Sequence, residues 1–561
     1  MMAGAPAISF ATDPGRYRHL RLETEGATGR IVLASDENGG VADGYELKLN
    51  SYDLGVDIEL HDAVQRLRFE HPEVRAVIIT SGLDKVFCAG ANIRMLAQAE
   101  HAWKVNFCKF TNETRCAIED AGRDSGQAYL AAVNGSAAGG GYELALACDE
   151  IIMVDDGSAS ISLPEVPLLA VLPGTGGLTR LVDKRGVRRD LADVLATRSE
   201  GVRAKTALAW GLADEIAPPS RFTQAVRARA EAAAARSSRL PGGPGITLTP
   251  LEREATGTRI GYQHVSADLD HAAGVVTITV RGPRDSPPAD LAGMHAQGAA
   301  FWPLAFVREL DDLILWLRTN ETGLGTWVIK TSGDIDTVLA YEDFMVSAFG
   351  EDWLAAEIHH FTKRAFKRLD VTSRSLIALI EPGSCFAGGL LELALACDRQ
   401  YMLEGEPEDP ATGGPAADPA AVVLTGANFG AFPMGNGLSR IATRFQGDPG
   451  RVAKLEQEKH RRIGAAETLE LGLVTFAPDD LDWDDEVRIA LEERGSFSPD
   501  ALTGMEANLR FAGPETLETK IFGRLTAWQN WVFTRPNASG PDGALRRYGS
   551  GQRAAFDRKR A

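Results

Sequence analysis

The sequence predicts an α/β protein in which one module is written twice, the second copy degenerate, followed by a helical C-terminal extension. Three observations carry that prediction. The first is repetition. Tyr17-Arg-His-Leu leading into GRIVLAS is met again as Tyr262-Gln-His-Val leading into GVVTITV. AVIITSG (76–82) returns as WVIKTSG (327–333), and ELALACD (143–149) returns unchanged at 392–398. LPGTGGLTRL (172–181) returns as FPMGNGLSRI (432–441), and ALAWGLADEIAP (207–218) as TLELGLVTFAP (468–478). The offset is 245 residues at the first block and 261 at the last, as loop insertions require. The second observation is alternation. Short β-branched runs (IVLAS, AVIIT, YLAAVNG, IIMV) are interleaved with helical patterns such as GVDIELHDAVQRLRFE, which indicates βαβ units and a mainly parallel sheet. The third is punctuation. ARSSRLPGGPGITLTP (235–250) breaks every periodicity with Pro, Gly and Ser, and marks the seam.

These signals divide the chain into a first module over 1–245, a second over 246–494 and an extension over 495–561. Inside the second module, EGEPEDPATGGPAADPA (404–420) reads as a solvated loop. The 561 residues give each module room for its own core.

Composition narrows the function classes. A formal net charge of −18, with no basic run before the terminal DRKRA, argues against a nucleic-acid partner. Six cysteines without CxxC or zinc-like spacing read as reduced thiols. The N-terminal stretch has no charged segment followed by an apolar core, so no signal peptide is expected. No apolar run approaches the ~18 residues of a membrane span. The expectation is a cytoplasmic protein with no membrane partner. His359-His360 has no ligand partner at metal spacing and no HExxH occurs, so no metal is expected.

The chemistry gathers at two strand-to-helix turns. Strand AVIIT opens into SGLDKVFCAGANIRML (81–96), and strand AYLAAVNG opens into Gly139-Gly140-Gly141. Helix N-termini leave N–H groups unpaired, and glycine permits close backbone approach. Two such donors aimed at one point form an oxyanion hole, so the triple glycine reads as the place where a carbonyl meets the chain. The other reading of the glycines is a close helix–strand crossing. Glu143, at the head of the second helix, and Glu165, in SLPEVPL, are the candidate acid–base pair. Alone, a helix-terminal Glu is more often a dipole partner.

These motifs resemble the enoyl-CoA hydratase (crotonase) superfamily. F-C-A-G-A-N-I-x-M, A-A-V-N-G-x-A-x-G-G-G-x-E-L-A-L-A-C-D, P-E-V and P-G-T-G-G-L-T-R-L follow in order within residues 17–240. The resemblance implies a spiral of repeated ββα units and an acyl-CoA thioester substrate. Its oxyanion donors would be the N–H groups of Ala91 and Gly140, and its water-activating and proton-delivering glutamates would be Glu143 and Glu165. Arg94, with Lys48 as a weaker candidate, would meet the CoA phosphates. Asn92 stands where the family usually has Asp, and is grouped with these CoA-side residues. Cys108, in the apolar patch VNFCKF, is the better pocket candidate and could assist a proton transfer; for it and for Cys116 on the same segment the other reading, a buried structural thiol, is the commoner one. The second copy is expected to be structural. Leu339-Ala-Tyr-Glu342 replaces Cys88-Ala-Gly-Ala91 with bulk, Thr425 falls where Glu165 would be, and Glu392 is expected to cap its own helix.

No G-x-G-x-x-G follows a strand, so a nicotinamide domain is not expected. A duplicated module with a degenerate second half resembles the benzoyl-CoA-dihydrodiol lyases within this superfamily, as does the tail NWVFTRPNASGPDGALRRYGSGQRAAFD (530–557). That resemblance implies hydrolytic cleavage of 2,3-epoxybenzoyl-CoA to 3,4-didehydroadipyl-CoA semialdehyde and formate, with no cofactor. Since single-module relatives assemble as trimers, a fused pair is expected to form a smaller symmetric oligomer, a homodimer. A hydratase or isomerase acting on another acyl-CoA, and a non-catalytic CoA-binding scaffold, are the alternative readings.

Overall fold

The computed structural model describes residues 7–405 and 418–561. Most of the loop expected over 404–420 therefore lies outside the described residues. The chain divides into two compact units. Unit 1 holds the residues up to Pro250 together with Phe349–His360, and unit 2 holds Leu251–Ala348 and Phe361–Ala561. The residues after 494 thus cluster with the second copy.

Unit 1 is built on two sheets. The larger follows the β-branched runs: β1 (Leu20–Glu25), β2 (Thr28–Leu33), β3 (Ala76–Ser81), then β4 (Lys85–Cys88) departs to the second sheet. β5 (Ala128–Val133), β6 (Gly135–Ala138), β7 (Glu150–Val154), β8 (Ser160–Ser162), β9 (Val202–Arg203) and β10 (Glu215–Ala217) continue the chain. The orders are β1-β2-β3-β5-β7-β10 and β4-β6-β8-β9. β1 pairs antiparallel with β2, and every other pair of the large sheet is parallel. The chain therefore leaves each central strand, adds a short strand to the second sheet and returns through a helix, which is a spiral of ββα turns. Ala76, Ile78, Leu130, Ala132 and Ile152 on one sheet face pack on Val226, Ala230 and Ala233 of helix Pro219–Arg236. At the edge of this unit Glu357 is buried between Arg68 (2.7 Å) and Arg239 (2.6 Å) and accepts from Ser125 Oγ at 2.9 Å. Burial opposes its charge, but the two guanidinium groups hold its carboxyl below the usual range.

Unit 2 keeps the large sheet as seven strands between Glu254 and Met402. Val275, Val328, Ile377 and Leu379 on one of its faces pack on Trp483 and Ala490 of helix Trp483–Ser496. Among the described residues the small sheet is reduced to one two-stranded pair, Ala421–Val423 with Arg462–Gly464, and a single bridge from Ala387 to Val423. Where unit 1 has β4, unit 2 has helix Ile335–Ala348. Degeneration is therefore structural as well as chemical: the sheet that shapes one wall of the turn is largely gone.

Candidate active site

Four more elements frame the site in unit 1: α1 (Leu54–Phe69), α2 (Ile93–Gln98), α3 (His101–Asp124) and α4 (Gly140–Ala147). α1 starts where Asp53 accepts from Gly55 N at 2.9 Å, and α2 where Asn92 Oδ1 accepts from Met95 N at 3.0 Å. α4 has no side-chain cap; Gly139 turns into it at φ 52°, a conformation that favours glycine.

The backbone before α2 is held by Tyr52. Its N–H donates to Gly90 O at 2.9 Å and its carbonyl accepts from Asn92 N at 2.8 Å, forming a parallel bridge to Ala91. In such a bridge the central residue's own N–H points the other way, so Ala91 N–H has no protein acceptor among the described residues. Gly140 N–H, in the first turn of α4, is unpaired for the usual reason at a helix start. The two segments touch: a Cβ on Gly90 would lie 2.7 Å from Ala138 O and 2.8 Å from Gly140 N. Two neighbouring segments thus each leave one N–H unused.

The triple glycine turns out to answer to three protein neighbours. A Cβ at Gly139 would fall on the Glu165 carboxylate, at Gly140 on the Tyr52 hydroxyl, and at Gly141 on the Cys88 carbonyl. The close-crossing reading therefore holds at Gly141, and crowding by side chains of the site accounts for the other two.

Glu143 is buried, and its carboxylate accepts from Thr175 N (3.0 Å), the Thr175 hydroxyl and Gly177 N (2.8 Å). Burial pushes its pKa up; the Thr175 and Gly177 donors and the Arg115 guanidinium pull the other way. Glu165 begins helix α5 (Glu165–Leu169), and its Oε2 is buried without a hydrogen-bond partner. Burial, with a smaller push from the charge of Glu143, raises it to about 7. Burial raises both carboxyls, one with donors around it and the other with an unpartnered oxygen, and two carboxyls of this kind are what acid–base chemistry uses. Cys108, half-buried on α3, is pushed up to about 11 by burial and then by Glu143, so it is a neutral thiol. The second thiol of that helix, Cys116, lies 3.8 Å from Arg180 Nη2.

The CoA-side candidates fall at one rim. Arg94 is exposed on α2, and Lys48, also exposed, is ion-paired to Glu46 at 2.5 Å. Both cations act on Glu46, which marks them as neighbours. Asn92 is buried, and its Nδ2 donates to Glu46 O (2.8 Å) and Ser51 Oγ (3.1 Å) while its Oδ1 caps α2. Its amide is committed at both ends to holding the loops.

Four residues of the site escaped the sequence reading. Thr175 was in view inside LPGTGGL, but nothing in its spacing announces that it grips Glu143. Tyr52, Asp57 and Arg115 carry no motif. Asp57 and Arg115 form an ion pair of 2.6 Å, each 1% exposed, and Arg115 lies over the Tyr52 ring at 5.3 Å from the centroid.

The enoyl-CoA hydratase/isomerase family pattern matches residues 46–240, the stretch that contains every residue of this site. The alpha subunit of the fatty acid oxidation complex of Shewanella loihica is 37% identical over 191 residues, which are 34% of this chain and 25% of that protein. The crystal structure of an enoyl-CoA hydratase from Bacillus anthracis is 29% identical, covering 39% of this chain and 77% of that one at a TM-score of 0.33. The benzoyl-CoA-dihydrodiol lyase of Aromatoleum evansii matches far more of the chain: 55% identity over 554 residues, 99% of this chain and 98% of that one. Identity at that level, running through both copies and the C-terminal extension, means that the chain belongs to the benzoyl-CoA-dihydrodiol lyase family.

Proposed function

We propose that the protein is a carbon–carbon lyase that cleaves the ring of 2,3-epoxybenzoyl-CoA hydrolytically, giving 3,4-didehydroadipyl-CoA semialdehyde and formate in aerobic benzoate degradation through CoA thioesters. The observation that carries the reading is the pair of carboxylates, Glu143 buried and Glu165 half-buried, beside two unpaired N–H groups, in a chain 55% identical to a benzoyl-CoA-dihydrodiol lyase.

In this reading the thioester oxygen accepts from Ala91 N–H and Gly140 N–H, which draws electron density from the ring and stabilises the enolate that forms on attack. Glu143, whose carboxylate is oriented by Thr175 N and Gly177 N, takes a proton from water. Glu165, protonated at and below about pH 7, gives its proton to the epoxide oxygen as that bond opens. A second water then adds, and C–C cleavage releases formate. Cys108 holds its proton and so takes part only as a donor. Arg94, with Lys48, holds the CoA phosphates at the rim.

We further propose a homodimer in the cytoplasm. The C-terminal helices expose Leu517 (80%), Phe522 (68%) and Phe533 (52%), apolar surface of the kind that oligomers cover. All six cysteines are free thiols, as a reducing compartment favours, and no helix among the described residues is long and apolar enough to cross a membrane.

The test is incubation with enzymatically made 2,3-epoxybenzoyl-CoA and assay of formate against a panel of enoyl-CoA esters. One formate per thioester consumed is expected, and turnover of enoyl-CoA alone would favour a hydratase. Light scattering should give twice the chain mass.

A further inference from the structure

Tyr52 has a hydroxyl for which the folded chain supplies no partner. The residue is 2% exposed, and its oxygen is buried and makes no hydrogen bond. A polar atom left this way destabilises a fold, and such atoms in native proteins usually have an occupant or a task. The hydroxyl is also held in place. The Tyr52 main chain is bound to Gly90 and Asn92, and its ring neighbours Arg115 (5.3 Å to the centroid) and Phe107 (6.1 Å between centroids). Its oxygen points at the α-carbon of Gly140, where any Cβ would collide with it. Burial keeps the phenol protonated, so it is a permanent donor.

We propose that the Tyr52 hydroxyl is a third hydrogen-bond donor to the thioester carbonyl oxygen, beside Ala91 N–H and Gly140 N–H. The inference rests on the acyl-CoA reading of the site given above. The three unpaired donors adjoin: two come from backbone segments that touch, and one from a side chain that braces the first segment and abuts the second. Unit 2 supports the assignment by contrast. The hydrogen bonds Tyr17–Asp62 and Tyr262–Asp312 match between the copies, and on that register Trp302 stands for Tyr52, with its indole N–H already donated to Arg281 O at 3.1 Å.

The test is Tyr52→Phe, which removes one atom and no protein hydrogen bond. kcat for 2,3-epoxybenzoyl-CoA should fall about 10²-fold, as loss of one oxyanion donor does elsewhere, with KM within about threefold. Thermal stability should be unchanged or higher, since no protein partner is lost. Benzoyl-CoA labelled at the thioester carbonyl provides the direct readout by difference infrared spectroscopy. Its carbonyl band should shift to lower frequency on binding wild type and return part of the way in Tyr52→Phe. Fluorotyrosine at position 52, a stronger donor, should move it further down. A Tyr52→Phe enzyme with kcat within twofold of wild type, or with the full carbonyl shift, overturns the proposal while leaving the site reading intact. A wild-type enzyme that binds benzoyl-CoA without moving the band overturns both.

Discussion

The two ELALACD helices begin alike and end in opposite chemistry. In unit 1 the Gly140 N–H is unpaired; in unit 2 its counterpart, Gly389 N–H, donates to the Glu342 carboxylate at 2.6 Å. In unit 1 Glu143 accepts from Thr175 and Gly177 beside Glu165, whose Oε2 has no partner. In unit 2 Glu392 is ion-paired to Arg440 (3.0 Å) and accepts from Asn428 (2.8 Å), while Arg440 also binds Asp370 at 2.9 Å. Thr425, which stands for Glu165, binds Glu342 instead. The second copy has neutralised its turn with its own side chains. A site is a set of polar groups that the fold positions and then declines to satisfy, and in unit 2 the corresponding N–H and carboxylate are both engaged by its own side chains.

This comparison corrects two expectations. The bulk of Leu339–Glu342 is not what closes the second turn; those residues lie in helix Ile335–Ala348, and it is the Glu342 carboxylate that occupies the donor. Nor is Glu392 a helix cap: it is the buried partner of Arg440.

The largest effects should separate the two glutamates by function. Glu143→Gln and Glu165→Gln should each lower kcat by at least ~10², the low end for a general acid or base, with CoA-thioester binding little changed. Rapid-quench turnover together with titration of benzoyl-CoA would check both. Glu392→Gln should leave kcat within twofold yet destabilise the fold by about 3 kcal/mol. Removing one partner of a buried pair costs ~3–5 kcal/mol, and Arg440 keeps Asp370, which places the loss at the lower end. Denaturant unfolding monitored by circular dichroism gives the number. Lost turnover in a folded Glu392→Gln protein would mean that unit 2 has a site of its own.

The pH response should come next in size. Glu165 near 7 is protonated below that value, so as the acid it should give a kcat that falls about tenfold per pH unit above about 7. The stability sign runs the same way. Its folded pKa lies above the ordinary 4.5, so the folded state binds the proton more tightly than the unfolded chain does. Stability is then lost as pH rises from about 4.5 to about 7, and the loss levels off beyond. Glu165→Gln should therefore gain in Tm relative to wild type across that window and hold the gain above it. A kcat that rises through pH 7 would exchange the roles of Glu143 and Glu165.

How much of this was legible in the chain follows from the kind of signal involved. The large sheet could be read because AVIIT, YLAAV and IIMV are β-branched runs bounded by turns. The small sheet could not: its strands are KVFC, GSAA, SIS and VR, too short and too small-residue-rich for any period to show. Glu143 and Glu165 stood out through motifs at fixed offsets from glycine. Tyr52 and Arg115 did not, because what matters about them is a contact made over 63 residues of sequence that only folding creates. Glu342 in unit 2 was misread for the same reason, since a sequence shows bulk but not where a carboxylate points.

The smallest expected effect lies at the rim, where Arg94 and Lys48 are exposed and Glu46 already neutralises one of them. Unit 2 has no role here, so the comparison is within unit 1, between groups that do chemistry and groups that hold the nucleotide. An exposed cation facing a phosphate works through water, gains about 0.2–1 kcal/mol and is screened beyond ~10 Å at 0.1 M salt. Arg94→Ala should therefore raise KM about two- to fivefold with kcat unchanged, the pattern of lost uniform binding. Lys48→Ala should do less, because its charge is shared with Glu46, and Glu46→Gln should lower KM by freeing it. All three differences should shrink as salt rises from 0.05 to 0.5 M, whereas the losses in Glu143→Gln and Glu165→Gln should not. Steady-state kinetics at the two salt concentrations decides the matter. A change in kcat for Arg94→Ala, or a KM effect indifferent to salt, would move that residue from the rim of the site into its chemistry.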